Sequence, residues 1–358
     1  MKLNTNTKAG DYMRIYTEMD INKVYIVMGL RCNFNCKYCY EKKLHQEDCK
    51  VSPKLIDYLI RLTEIRPFTS KDNPIHLIFW GGEPLLYLNV IKELIGSLKG
   101  LPFTFGTVSN GLLFTPGIVD FFNENNISVA ISNDGINTKF TRGIDVLAIP
   151  KNAGVLMNIS NLSIDSVFSA YNCDYNRTYD YVYEKLGREV PIMFEWLHCD
   201  KSTPKELYSF DYESYHESLA RYFDSIRTDL INQNISHKVM AVLKDAEALA
   251  EPSDILAPRC KQMRGSLNLD LQGNIMACHP GKVLGDTSSR YAEMLETYDR
   301  EINQAFSFAD CANCKWVMIC KAGCPLEIPC EGKIAVCRAK RMYYEGLSNL
   351  MREVVTIC

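Results

Sequence analysis

Three cysteines crowd into the stretch RCNFNCKYCY, residues 31–40: Cys32, Cys36 and Cys39, spaced C-x3-C-x2-C. Soft thiolates this close together suit an iron–sulfur cluster or zinc. Three is one short of a closed tetrahedral set, so a cluster held here keeps one iron open, which favours catalysis over a structural clip. Disulfides would leave one thiol unpaired. A structural zinc would need a fourth ligand, for which His45 is the nearby candidate.

A second cysteine group fills the last hundred residues. Cys260 and Cys278 are followed by Cys311-x2-Cys314-x5-Cys320-x3-Cys324, then Cys330 and Cys337. That density points to metal, and a disulfide scaffold is the alternative. Of the fifteen cysteines, only Cys49, Cys173, Cys199 and Cys358 stand outside the two groups.

Polar stations recur between the groups, each just after an apolar run. Gly81-Gly82-Glu83-Pro84 joins two glycines, which permit close backbone approach, to an acid; by itself it is also an ordinary tight turn. Ser109-Asn110-Gly111 and Ser132-Asn133-Asp134-Gly135 are turn compositions that also offer polar groups. Asn158 is expected at the end of a fifth strand. Glu195 sits among Met193, Phe194 and Trp196, where a carboxylate is costly unless paired, and His198 follows it.

The frame for these stations reads as alternating strands and helices. Val24–Met28, His76–Trp80, Phe103–Val108, Ile127–Ile131, Val155–Ile159 and Pro191–Leu197 are the six strand candidates. Helices are expected over Ser52–Ile65, where Leu55, Ile56, Leu59, Ile60 and Leu62 share a face, and over Asn89–Leu98, Asn176–Leu186 and Glu213–Leu230. Six such units predict an α/β fold with a parallel sheet, either an incomplete barrel or a doubly wound sheet. Leu267–Asp270 and Asn274–Ala277, flanking Gly273, read as a short hairpin. The Pro-containing stretch Glu251–Pro258 divides the chain into an N-terminal segment (1–22), a larger domain (23–250) and a smaller one (251–358).

The C-x3-C-x2-C loop, with Tyr38 before its last cysteine and GGEP after the second strand, resembles the radical S-adenosylmethionine (SAM) enzymes. That resemblance implies a partial (β/α)6 TIM-like barrel, a 4Fe–4S cluster on Cys32, Cys36 and Cys39, and SAM chelated by the open iron. It further implies that Tyr38 packs near the adenine and that Gly81, Gly82, Glu83 and Pro84 meet the SAM methionine. Ser109, Asn110, Ser132 and Asn158 are the implied ribose, carboxylate or substrate contacts, with Asp134 and Glu195 as pocket acids.

The C-terminal pattern, Cys260-x12-Gly273-x4-Cys278 and then the dense run and Cys337, resembles the small SPASM extension of the same enzymes. It implies two auxiliary 4Fe–4S clusters, three in all. Cys260, Cys278 and Cys324 would hold the nearer cluster, and Cys311, Cys314, Cys320 and Cys337 the outer one. Cys330 either completes a cluster or is a spare thiol. Enzymes with this extension act mostly on peptides, so the implied substrate is a ribosomally made precursor peptide that acquires a carbon–carbon or thioether crosslink. Sulfatase maturation is the alternative, followed by epimerisation, small-molecule dehydrogenation or, in another class, a non-catalytic electron carrier. Sulfatase-maturating enzymes carry an aspartate base directly after the Gly-x4-Cys cysteine; here that position is His279, which titrates in a range suited to a base.

Composition narrows the partners. With 43 acidic and 40 basic side chains in 358 residues, nothing suggests a nucleic-acid surface. No apolar run approaches the roughly 20 residues that span a bilayer, and the polar start carries no secretory signal, so a cytoplasmic setting is expected. Expected partners are the precursor peptide and a flavodoxin- or ferredoxin-type electron donor; because the first 20 residues are short for a leader-binding domain, a leader would be recognised by a separate protein or by the barrel surface.

Overall fold

The computed structural model describes residues 17–43, 50–66, 69–250, 260, 262–278, 281–302, 311, 313–320, 323–324, 327 and 329–357. Six parallel strands form its larger part: β1 (Lys23–Val27), β2 (Ile75–Trp80), β3 (Phe103–Ser109), β4 (Ser128–Ser132), β5 (Leu162–Phe168) and β6 (Ile192–Trp196). They lie side by side in sequence order. β1 does not pair with β6, so the six strands stay open, as in a partial barrel.

Helices cross back between the strands: α1 (Pro53–Ile65), α2 (Leu88–Ser97), α3 (Pro116–Glu124), α4 (Thr138–Arg142), α5 (Pro150–Leu156) and α6 (Tyr175–Leu186). Local chemistry marks their ends. Pro53 and Pro116 occupy first turns, where no N–H is needed, and the Thr115 and Asp174 side chains accept N–H bonds from the turns that follow them. Gly187, in the left-handed region at φ 65°, ends α6.

Alternation along the strands decides which residues can do chemistry. Val24, Ile26, Ile75, Leu77, Phe79, Ile131 and Ile164 face the helices and join one continuous core. Their neighbours face the concave side. Asp165 is in register with Met193, and Val167 with Glu195, so Asp165 and Glu195 share that concave face.

One strand expectation is corrected. Val155–Ile159 is not the fifth strand: it begins in α5 and ends in a turn, and the strand is β5, Leu162–Phe168. Leu156, at the end of α5, and Ile159, just past it, are fully buried, while Met157 between them is exposed. The apolar pattern of β5 is interrupted by Ser163 and Asp165 on the side that lines the concave face, and by Ser166, which is buried on the other side and accepts a hydrogen bond from Asn172 Nδ2.

The C-terminal part continues the same sheet. β7 (Ser266–Asp270) runs parallel to β1, then β8 (Asn274–Met276) and β9 (Val283–Asp286) follow antiparallel. Gly273 takes φ 86° in the expected hairpin turn, and Asp270 Oδ1 accepts the Gln272 and Asn274 N–H groups there. Helices α7 (Tyr212–Ile231), α8 (His237–Ala250), α9 (Tyr291–Glu301), α10 (Val317–Cys320) and α11 (Glu331–Ile357) complete the described chain. A second core joins Phe168, Tyr175, Tyr215 and Tyr222 to Val336, Tyr343 and Leu347 of α11. The C-terminal region therefore meets the barrel at both sides, through β7 beside β1 and through α11 over α7 and α8. The expected domain boundary falls in residues 251–259, outside the described ones, as do His45, Cys49 and Cys358. No described helix is long and apolar enough to cross a membrane.

Candidate active site

Strand ends converge on one cleft. Cys32, Cys36 and Cys39, from the loop after β1, line it together with Tyr38, Gly81, Gly82, Ser109, Asn110, Ser132, Arg142, Asp165, Glu195 and His198. Of the expected site residues, this brings together the three thiols and polar groups from β2, β3, β4 and β6.

Close backbone approach builds the floor. Gly82 N–H donates to Gly29 O and Glu83 N–H to Arg31 O, each at 2.9 Å, which docks the GGEP turn onto the cysteine loop. A Cβ at Gly82 would lie 2.3 Å from Arg31 O, and one at Gly81, itself at φ 130°, 2.3 Å from Gly29 O. Both positions need glycine. Glu83 is buried below the turn, and its carboxylate accepts from Leu85 N–H (3.0 Å), Ser109 Oγ–H (2.8 Å) and Asn110 N–H (2.8 Å). Burial raises its carboxyl pKa while these three bonds pull it back. Asn110 Nδ2 in turn donates to Asn33 Oδ1 at 2.7 Å, tying β3 to the cysteine loop. Pro84 is buried at the start of the following 3-10 turn.

Asp134 has a different place from the one expected. It accepts from Tyr38 Oη–H (2.6 Å), Thr141 Oγ1–H (2.6 Å), Arg142 Nη2–H (3.0 Å) and Val167 N–H (2.9 Å). Four donors fill the acceptor sites of a carboxylate. Asp134 thus anchors Tyr38 and Arg142, which do line the cleft, and has no lone pair left for a substrate proton. Asn158 lies away from the cleft. Its Nδ2 donates to Gly154 O, and its carbonyl accepts from Asn123, in the turn before β5 at the opposite end of the strands. His279 lies outside the described residues.

Two acids remain on the concave wall. Asp165 is 8% exposed, and its Oδ1 has no hydrogen-bond partner. Burial, reinforced by the charge of Glu195, pushes its carboxyl up to about 7. Glu195 opens onto the cleft, and burial raises its pKa as well, with Arg142 opposing. Arg142 and Asp165 were not singled out in the sequence. A polar residue breaking an apolar strand pattern was the available signal for Asp165.

The three cleft thiols suit a cluster with an open iron: the described walls bring no fourth cysteine to them. Burial raises all three thiol pKa values, Cys36 to about 11 with Arg142 opposing. Among the described residues no group of three or more His, Cys, Asp or Glu side chains is placed to hold a single metal ion.

A separate cavity of about 250 Å³ is lined by Cys311, Cys314, Cys320 and Cys337, the four cysteines expected together, with Lys333, Arg338, Lys340 and Arg341 around them. Elsewhere Tyr298, buried on α9, hydrogen-bonds Cys260 and lies within electrostatic reach of Cys278. Cys324 lies by Lys333. Cys330 Sγ accepts Lys333 N–H at 3.4 Å at the head of α11, where it packs against the second core. A larger groove of about 710 Å³ between α7 and α11 contains none of the cysteines.

Residues 26–181 match the Radical SAM superfamily. The chain is 24% identical over 336 residues to the radical SAM cyclopropyl synthase TigE of Paramaledivibacter caminithermalis, covering 87% of this chain and 69% of that one. It is 24% identical over 326 residues to the cysteine-type anaerobic sulfatase-maturating enzyme of Clostridium perfringens, covering 82% and 85%. Among solved structures, anSMEcpe with bound AdoMet superposes with a TM-score of 0.68 at 18% identity, covering 92% of this chain and 98% of that one. Streptococcus suis SuiB bound to precursor peptide SuiA gives 0.56 at 16% identity, covering 87% and 75%.

Proposed function

We propose that this chain, whose residues 26–181 match the Radical SAM superfamily and which resembles anaerobic sulfatase-maturating enzymes over most of its length, is a peptide maturase that oxidatively crosslinks a ribosomally made precursor. The observation that carries this reading is the cleft itself: three thiols, the GGEP turn and a polar wall meet there, while a four-thiol cavity lies elsewhere in the same molecule. A 4Fe–4S cluster on Cys32, Cys36 and Cys39 with bound SAM would supply a 5′-deoxyadenosyl radical able to take hydrogen from an unactivated C–H.

The protein's own work is positioning. Gly81 and Gly82 let the turn close onto the cysteine loop at the floor of the cleft, and Glu83 locks the turn to Ser109 and Asn110. Asp134 holds Tyr38 and Arg142 in the cleft wall, where Arg142 provides a cation for a carboxylate and Tyr38 a flat apolar face. Ser132 and Glu195 face the same space. The walls would keep water from a reactive intermediate.

Cys311, Cys314, Cys320 and Cys337 are proposed as ligands of an outer 4Fe–4S cluster. Cys260, Cys278 and Cys324 are proposed for a nearer one, making three with the SAM cluster. Such clusters suit a net two-electron oxidation, in which the substrate's second electron leaves through the C-terminal region. A flavodoxin- or ferredoxin-type protein would reduce the SAM cluster, and a separate protein or the barrel surface would recognise a leader. Sulfatase maturation is the second reading. It is favoured by the match to the Clostridium perfringens maturase over most of both chains.

The test is anaerobic coexpression with each short open reading frame beside the gene, followed by intact peptide mass in normal and deuterated water. Loss of two hydrogens establishes crosslinking. Deuterium uptake without a mass change in normal water means epimerisation, and conversion of a sulfatase-derived cysteine peptide would transfer the assignment to the second reading. Cys32→Ala is expected to abolish 5′-deoxyadenosine formation while most auxiliary iron stays bound, checked by chromatography and iron analysis on the same sample.

A further inference from the structure

Oxidising a substrate radical means sending an electron one way and a proton another, and a polar line in this molecule joins the two destinations. His198, just after β6, lines the cleft that holds the three thiols. Its Nδ1 lies 3.5 Å from Glu327 Oε1, which also accepts Cys199 N–H at 3.4 Å. Glu327 Oε2 pairs with Lys333 Nζ. Lys333, in the first turn of α11, lines the four-cysteine cavity. Both members of that ion pair have side chains less than a tenth exposed, and a pair so buried is held at a desolvation cost. A Glu327–Lys333 pair could serve packing alone. It would not require a histidine at the edge of the reaction cleft turned with Nδ1 toward the same carboxylate.

Resting on the reading that the substrate undergoes a two-electron oxidation, we propose that His198 accepts the substrate proton in the oxidising half of the reaction, with Glu327 as the residue that positions it. The first hydrogen atom leaves with the 5′-deoxyadenosyl radical as 5′-deoxyadenosine. The carbon radical then bonds to a neighbouring sulfur or carbon, X, of the peptide as its X–H bond breaks. That proton goes to Nε2 of His198, and the one remaining electron would be taken up by the oxidised 4Fe–4S centre that Cys311, Cys314, Cys320 and Cys337 are proposed to hold. Nδ1, engaged by Glu327, fixes the ring so that Nε2 is the free acceptor.

The surroundings suit that role. Glu327 and Asp200 present negative charge to His198, Lys333 and Lys340 positive charge, and the Tyr40 ring packs at 5.6 Å. Burial first and Lys333 second hold the imidazole below its ordinary pKa, so the ring is neutral at pH 7 and able to take a proton.

The experiment compares anaerobic, cluster-loaded wild type, His198→Gln and Glu327→Gln with the peptide that the coexpression test selects, measuring 5′-deoxyadenosine and oxidised peptide in the same samples. In His198→Gln, oxidised peptide per 5′-deoxyadenosine should fall roughly 10²-fold, the low end for a lost general base. An unchanged ratio would overturn the proposal. A second readout needs no turnover: the pH dependence of His198 carbethoxylation by diethyl pyrocarbonate, followed by peptide mass on the same loaded proteins. Removing the Glu327 charge leaves Lys333 unopposed, so the midpoint should move to lower pH in Glu327→Gln. A midpoint that stays put overturns the positioning role, and it decides the matter even if His198→Gln proves poorly folded. If wild type forms 5′-deoxyadenosine but no oxidised peptide from any candidate, the functional reading has failed, while the carbethoxylation result still judges the His198–Glu327 link.

Discussion

Asp165 shows how one side chain can carry the cost of a reaction cleft. It projects from β5 onto the concave wall, its Oδ1 finds no partner, and Glu195 faces the same space, so ionisation is opposed twice. A carboxyl raised from 3.8 to about 7 contributes stability that is full below 3.8 and is lost as the pH rises through 7. Asp165→Asn removes that dependence. Between about pH 5 and about pH 8, wild type should lose on the order of a few kcal/mol of unfolding free energy that the variant keeps. Urea midpoints of the two proteins, measured without SAM, check this, and parallel pH profiles would count against the burial argument. Asp134, thirty-one residues earlier, is also buried but has four donors on its oxygens. The two aspartates differ in their partners, and only Asp165 retains an unspent acceptor.

At the scale of elements, the cleft depends on two loops whose backbones touch. The GGEP turn after β2 donates two N–H bonds to carbonyls of the loop after β1, and Gly82 leaves no space between them for a methyl group. Gly82→Ala puts a carbon against two backbone carbonyls, Arg31 O at 2.3 Å and Leu30 O at 2.6 Å, neither of which can rotate aside. We expect a cost of about 1–3 kcal/mol, and iron content falling by the equivalent of the SAM cluster because the three thiols are carried on the displaced loop. Iron and sulfide analysis of reconstituted protein measures this. β7 adds a different constraint. Its parallel pairing with β1 means that the strand leading into the cysteine loop is held on both sides, by β2 and by the C-terminal hairpin.

For the molecule as a whole, the arrangement separates two sites within one continuous framework. The cleft thiols sit at the strand ends, and the four-cysteine cavity sits between α10 and α11, surrounded by Lys333, Arg338, Lys340 and Arg341. Cys314→Ala is therefore expected to lower iron by about one cluster's worth, about four irons for a 4Fe–4S centre. SAM cleavage should continue while formation of oxidised peptide falls, which can be followed by iron analysis and 5′-deoxyadenosine yield together. Loss of cleavage as well would show that the two sites are not separable.

The cysteine spacings, the GGEP turn and most of the alternating strands were legible in the sequence, because local rules govern them. Metal-ligand spacing is a short-range constraint, glycines report tight backbone approach, and period-two or helical apolar patterns report burial. β5 was not legible: its concave-face polar residues broke the apolar pattern, and the nearby run at 155–159 had the better composition. Asn158 was misplaced with it. Nor could sequence separate Asp134, saturated by donors from Tyr38, Thr141, Arg142 and Val167, from Asp165, left with an orphan oxygen. The parallel pairing of β7 with β1 and the meeting of His198, Glu327 and Lys333 were likewise decided by tertiary structure. Those contacts join residues far apart in the chain, and their partners are chosen by how the sheet curves and how α11 packs, which no local pattern encodes.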